Sequence, residues 1–237
     1  MEAQAPDAEI AILREEPSWL VVAKPAGIHS VAQRGSDAPS VEAWLRAERP
    51  ELADLDEAGL VHRLDFETSG CLLVAKDAET RARLREAFSG RGGDIRKTYL
   101  ALVEGRFPDR VLAGAFTLSF TSRHKGSAKV TVHTRGDPDT IGRCRWRVLR
   151  VVGVHTLVEV ELLGPGRRHQ IRAGMAHEGH PLVGDTLYGG SPSKSGICLH
   201  AHRLAGDSLV GPAGGAITAP EPAWMPVAGS QAAPDTA

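Results

Sequence analysis

A chain of 237 residues, 42% of them hydrophobic, has enough apolar material for one large core or two small ones, and the length favours a single domain. The net charge of −1 hides an uneven distribution, with a balance of −9 over residues 1–80, +11 over 81–172 and −3 over 173–237. No apolar run approaches the ~20 residues that cross a bilayer, and the start, MEAQAPDAEI, lacks the basic-then-apolar pattern of a secretory signal, so the cytoplasm is the expected compartment.

The first ten residues and the tail from about Gly211 are rich in Ala, Pro and Gly, and both are expected to be loosely ordered, with Trp224 able to dock one point of the tail. Ile10–Leu13 and Trp19–Lys24 read as short strands around Glu16-Pro17, and PAGIHSVAQRGSD as a loop. Ser40 caps a helix that runs to about Arg49, ahead of Pro50. Leu60–Asp65 is strand-like, and CLLVAK (71–76) is a buried strand. Asp77 caps a helix to about Ser89, with Leu84 and Phe88 four apart on one face. From Ile95 the period changes to two, and KTYLALVEG, AFTLSF, AKVTVHT, CRWRVLRVV and HTLVEVELL follow as strands. A third helix starts after Gly164-Pro165-Gly166 and runs to about His177, and ICLHAHRL (197–204) is a last strand. Consecutive strands without crossover helices predict a largely antiparallel sheet and an α+β fold.

Several groups of residues invite a chemical reading. A +11 segment points to a bound polyanion, although interleaving with the acidic amino-terminal part on folding also accounts for it. In VHRLDFETSG (61–70), strand alternation puts Arg63 and Asp65 on one face, where the guanidinium would hold the carboxylate ionised, and the small turn Thr68-Ser69-Gly70 would let backbone approach a ligand. Lys97 and Tyr99 share a face of the next strand, an arrangement suited to a phosphate and a base, or to an ordinary buried tyrosine. GPGRRHQIR (164–172) leads a helix start into Arg167, Arg168, His169 and Arg172, an anion-binding pattern in which Arg168 and Arg172 lie four apart on one helical face.

Metal chemistry has little support. HEGH (177–180) is one residue short of the i, i+4 spacing of two imidazole ligands, and Pro181 ends any helix there, which favours solvent-facing or backbone-bonded histidines. Cys71, Cys144 and Cys198 are odd in number and far apart, which argues against disulfides and zinc ribbons. The phosphate-loop, dinucleotide and nucleophile-elbow motifs are absent.

Taken in order, KPAGIHSV (24–31), HRLDFETSG (62–70), KTYLALVEG (97–105), GRRHQIR (166–172), GHPLVGDTLYG (179–189) and LHAHRL (199–204) resemble the signature blocks of the RluA-type pseudouridine synthases. The resemblance covers about residues 19–204, and HRLD-x-x-TSG followed about 100 residues later by GR-x-HQIR is its most specific part. It implies a bent, mixed but mostly antiparallel β-sheet with flanking helices and a central catalytic cleft. The domain division is then an extension and first strand over 1–18, a catalytic domain over 19–210 and a tail over 211–237.

The resemblance also implies the chemistry. Asp65 is the catalytic carboxylate, Tyr99 packs on the uracil, and Arg172 pairs with the aspartate. Arg63 helps take the place of a flipped base, and Lys97, Arg167, Arg168 and His169 complete the RNA contacts. The expected partner is ribosomal or transfer RNA, with no metal, no organic cofactor, no membrane, and a monomeric protein. The stretch before Trp19 is too short for the small S4-type RNA-binding domain of many relatives, so target choice would rest on the catalytic domain or a partner. One departure stands out: HQIR usually continues with a hydrophobic residue and a histidine, where this chain has Ala173-Gly174. Two other readings compete: an RNA-binding relative without catalysis, and a glycoside or nucleoside hydrolase with Glu67 as its second carboxylate.

Overall fold

The computed structural model describes residues 9–33, 35–89, 94–124, 126–210 and 215–225. In chain order the elements are β1 (Ala11–Glu15), β2 (Trp19–Lys24), α1 (Val41–Glu48), β3 (Ser69–Ala75), α2 (Ala78–Ser89), β4 (Arg96–Glu104), β5 (Ala113–Thr121), β6 (Thr131–His133), β7 (Ile141–Val152), β8 (His155–Leu163), α3 (Gln170–His177), β9 (Leu199–Ala205), α4 (Asp207–Val210) and β10 (Ile217–Thr218). The chain divides into two units, residues 1–97 with 201–220 and residues 98–200 with 221–237.

In the first unit the strands run in the order β1-β2-β3-β9, with β10 added antiparallel to β9. β1 belongs to this sheet with the residues after Trp19, since Ala11 pairs with Ala23. β2 and β3 are antiparallel, Trp19 opposite Ala75 and Lys24 opposite Gly70. Trp19, Val21, Cys71 and Leu73 join Leu84 of α2 in one cluster, and the alternate residues Leu20, Val22, Leu72 and Val74 are equally buried. A strand covered on both faces reads as a continuous apolar run, which is why CLLVAK lacks alternation. The helix ends follow their caps: Ser40 Oγ accepts from the Ala43 N–H at 3.1 Å, and Asp77 Oδ1 from the Thr80 N–H at 2.7 Å. The tail expected to be loose from Gly211 instead supplies β10, and Ala219 beyond it is buried; residues 211–214 and 226–237 lie outside the described residues.

In the second unit the order is β4-β8-β7-β5-β6, with β7 antiparallel to both β8 and β5. β7 alternates strictly, Cys144 and Trp146 buried while Arg143, Arg145 and Arg147 are exposed. Trp224 and Met225 pack on Leu102, Leu157, Val183 and Cys198, the docking point the tail was expected to offer. The fold is α+β with a mixed, mostly antiparallel sheet, as the strand succession predicts.

Candidate functional site

Asp65 sits at the head of a turn in the first unit, with the Thr68 N–H donating to the Asp65 carbonyl at 3.1 Å. The turn is tied down by the KPAGIHSV block. Lys24 Nζ and the Gly27 N–H both donate to Phe66 O, at 3.1 and 2.9 Å. Ser30 Oγ donates to Leu64 O and accepts from the Leu64 N–H, each at 2.9 Å. Lys24 is 1% exposed; burial lowers its amine to about 7, and the Asp65 charge opposes that shift.

Three expectations about this stretch are corrected. Leu60–Asp65 is not a strand: Leu60 bridges Val74 and the Val61 N–H donates to Leu73 O, but His62 Nε2 then accepts the Leu73 N–H at 3.1 Å, a side chain in place of a backbone partner. Without a strand the alternation that joined Arg63 to Asp65 lapses. Arg63 is exposed and, among the described residues, forms no ion pair, while the buried Lys24 ammonium feels the Asp65 charge. Nor is Thr68-Ser69-Gly70 the turn, because Ser69 opens β3. Gly70 has φ 114°, and a Cβ there would lie 2.2 Å from Ala201 O, so the glycine serves close strand approach and not a ligand.

Lys97 is also placed differently from its expected phosphate contact. It is 2% exposed, its Nζ donating to Phe88 O at 2.8 Å and lying 4.7 Å from the Phe88 ring centre. The Phe88 ring also stacks with His62 at 4.1 Å, and burial, then the Lys97 charge, lowers the His62 imidazole to about 3.

In the second unit Tyr99 lies on β4 and is 8% exposed. α3 starts only at Gln170, because His169 adopts a left-handed φ of 53° that a continuing helix excludes. Arg167 and Arg168 therefore precede the helix, and the shared helical face of Arg168 and Arg172 is not formed. The anion seat expected at the helix start is filled from within: Gln170 Oε1 accepts from the Arg167 N–H at 2.8 Å, while its Nε2 donates to Arg143 O at 2.9 Å. Arg167 Nε donates to Ile141 O at 2.9 Å, and the exposed Arg168 donates through Nη2 to Ser127 O at 2.5 Å.

Arg172 makes a bidentate pair with Asp185, Nε to Oδ2 at 2.7 Å and Nη2 to Oδ1 at 2.9 Å, with both side chains buried. The guanidinium lies 5.5 Å from the Tyr188 ring centre. Tyr188 Oη accepts from the Val130 N–H and shares a hydrogen bond with His169 Nδ1, each at 2.9 Å, and burial raises its phenol. Arg172, His169, Asp185 and Tyr188 are thus brought together. Asp185 and Tyr188 stand in GHPLVGDTLYG and Lys24 in KPAG, and their place in these blocks is the one signal the sequence carries for these contacts.

The Ala173-Gly174 departure has a steric cause. A Cβ on Gly174 would lie 2.2 Å from Cζ of Phe116 on β5, so that ring fills the space a larger residue would take. His180 Nδ1 hydrogen-bonds with Glu104 O at 2.9 Å and its ring lies 3.8 Å from that of Phe107, a backbone-bonded histidine as expected. Among the described residues, no group of three or more His, Cys, Asp or Glu is arranged to hold a metal. Part of the basic segment does interleave with acids: Arg81 and Arg85 pair with Glu57, Arg145 with Glu161 and Arg147 with Glu159. Arg123, Lys129 and Arg168 are exposed near one another in sequence or contact, around the 122–130 loop.

The family model described as RNA pseudouridylate synthase matches residues 18–177, and the chain belongs to that family. Its HRLD and HQIR blocks place it in the RluA-type branch. Ribosomal large subunit pseudouridine synthase D of Yersinia pestis is 37% identical over 182 residues, which is 76% of this chain and 53% of that protein. The protein of the same description from Xanthomonas campestris is 36% identical over 187 residues, 78% of this chain and 53% of that one. This chain thus spans about half the length of the curated relatives it matches. Among solved structures, Human RNA Pseudouridylate Synthase Domain Containing 1 has a TM-score of 0.68 at 22% identity, covering 94% of this chain and 87% of that chain. Human RNA Pseudouridylate Synthase Domain Containing 4 also scores 0.68, at 21% identity over 90% of this chain and 89% of that chain. These two likenesses establish the fold. Among the described residues no helix is long and apolar enough to cross a membrane.

Proposed function

We propose that this chain is an RNA pseudouridine synthase, an isomerase that breaks the N1–C1′ bond of a uridine, turns the uracil and joins C5 to C1′. The observation that carries the reading is Asp65 itself, on a turn secured through Lys24, Gly27 and Ser30 by an entire sequence block. Such anchoring suits a carboxylate that must meet one sugar atom in one geometry. Asp65 acts either by adding to C1′ or by taking the 2′ proton; in both routes the C5 hydrogen is lost and N1 gains one, so the product is an isomer. Tyr99 and Arg172 are the further catalytic residues, and Arg63, Arg167, Arg168 and His169 the RNA contacts. Lys97 is left out, since its ammonium is buried against Phe88. The reaction as written draws on no metal or organic cofactor, and the protein acts as a cytoplasmic monomer.

The substrate is ribosomal or transfer RNA, and the name shared by the Yersinia and Xanthomonas relatives makes large-subunit ribosomal RNA the first to try. Purified protein is incubated with unmodified large-subunit RNA and, separately, unmodified transfer RNA, each carrying tritium at C5 of uridine. Release from one pool identifies the substrate class. Binding without release from either would favour the RNA-binding relative without catalysis and reject the isomerase.

A further inference from the structure

Phe66 follows Asp65 directly and is 44% exposed, the one aromatic among the large hydrophobic residues exposed in the described part of the chain. An exposed aromatic face is a surface on which another flat π-system can stack. The Phe66 ring rests on His29, with centroids 4.7 Å apart and planes tilted by 46°. Both rings are carried on fixed backbone. Phe66 O accepts from Lys24 and Gly27, and the His29 peptide donates to Pro39 O at 3.0 Å while accepting from the Val41 N–H at 2.9 Å. A rigid aromatic surface loses little entropy when something stacks on it.

The charge around it narrows the occupant. Phe66 stands between Asp65 and Glu67, so a phosphate would be repelled at this tip. The flat, neutral face of a base would not. Resting on the reading of the chain as an RNA-uridine isomerase, we propose that Phe66, backed by His29, is a stacking platform for a nucleobase next to the target uridine. Arg63 would track the backbone, while Phe66 holds a neighbouring base out of its own stack. Base–aromatic stacking tolerates any base, so the platform contributes affinity and placement more than sequence choice.

The test compares wild type with Phe66→Ala, Phe66→Trp and His29→Ala on a short, naked RNA that wild type binds, measuring Kd across a salt series and C5 tritium release. Phe66→Ala is expected to raise Kd on the order of tenfold with an unchanged salt slope, His29→Ala to do so less, and Phe66→Trp to keep wild-type affinity. An unchanged Kd in Phe66→Ala, as would follow if the ring met a protein partner, overturns the proposal. So does a weaker Kd that comes with a shallower salt slope, because a stacking contact releases no counterions. If wild type binds through Phe66 yet releases no tritium, the isomerase reading fails while the platform stands.

Discussion

Arg172→Met leaves the Asp185 carboxylate, buried with no exposed side-chain area, without the guanidinium that meets both of its oxygens at 2.7 and 2.9 Å. Breaking a buried pair from one side costs about 3–5 kcal/mol, whereas replacing both partners with apolar residues is often close to neutral. Asp185→Leu removes two charge-assisted hydrogen bonds from Arg172, at roughly 1.5–3 kcal/mol each. The two single variants are therefore each expected to lose about 3–5 kcal/mol of unfolding free energy, and the double variant clearly less than the sum of the two, a coupling of at least ~2 kcal/mol. Urea unfolding followed by tryptophan fluorescence gives all four corners of the cycle. Costs that add to within ~0.5 kcal/mol would refute the account of this pair. The folded double variant has a second use: its turnover reports what Arg172 does for the chemistry, separated from what Arg172 does for the fold.

Other outcomes follow from the same contacts. His62 is held neutral with its imidazole lowered from 6.5 to about 3, so the unfolded chain takes up a proton that the folded chain does not, and stability falls as pH drops across that interval. His62→Gln should flatten this part of the acid-unfolding curve by a few kcal/mol, and an unchanged curve would remove His62 as its cause. Gly174→His, which restores the residue type usual after HQIR, drives a side chain into Phe116 and should cost about 1–3 kcal/mol in thermal or urea unfolding, partly recovered by adding Phe116→Ala. Arg168→Ala should weaken RNA binding and reduce its salt slope by about one, whereas Lys97→Met should lower stability and leave the slope alone; equal slopes in wild type and Arg168→Ala would take Arg168 out of the phosphate contacts.

Local signals carried most of the fold into the sequence. β2 and β8 fall on Trp19–Lys24 and His155–Leu163, stretches that read as strands, and α1 begins after Ser40 because its hydroxyl oxygen accepts the Ala43 N–H of the first turn. Where a side chain replaces a backbone partner, periodicity misleads. Leu60–Asp65 reads as strand-like, yet His62 takes the Leu73 N–H and the ladder ends. β10 is only two residues long, too short to leave a pattern, and its place is set by its pairing with Leu204 and Arg203. The left-handed turn at His169 is likewise held by Tyr188, nineteen residues on, and nothing in GPGRRHQIR announces it. Asp65 and Arg172, the residues proposed for the chemistry, stand in the two most specific blocks. The blocks hold Lys24 and Asp185 too but do not say what they touch, Lys24 the Asp65 turn and Asp185 the Arg172 guanidinium, since a buried charge's partner is a matter of packing and not of spacing.

The most direct test of the account places Asp65→Asn beside wild type on uridine-tritiated large-subunit RNA, with RNA affinity and C5 tritium release measured on the same preparations. The substitution keeps the shape of the side chain and removes its charge. Near wild-type binding by both proteins and release by the wild type alone are expected. Turnover by Asp65→Asn at the wild-type rate would contradict it.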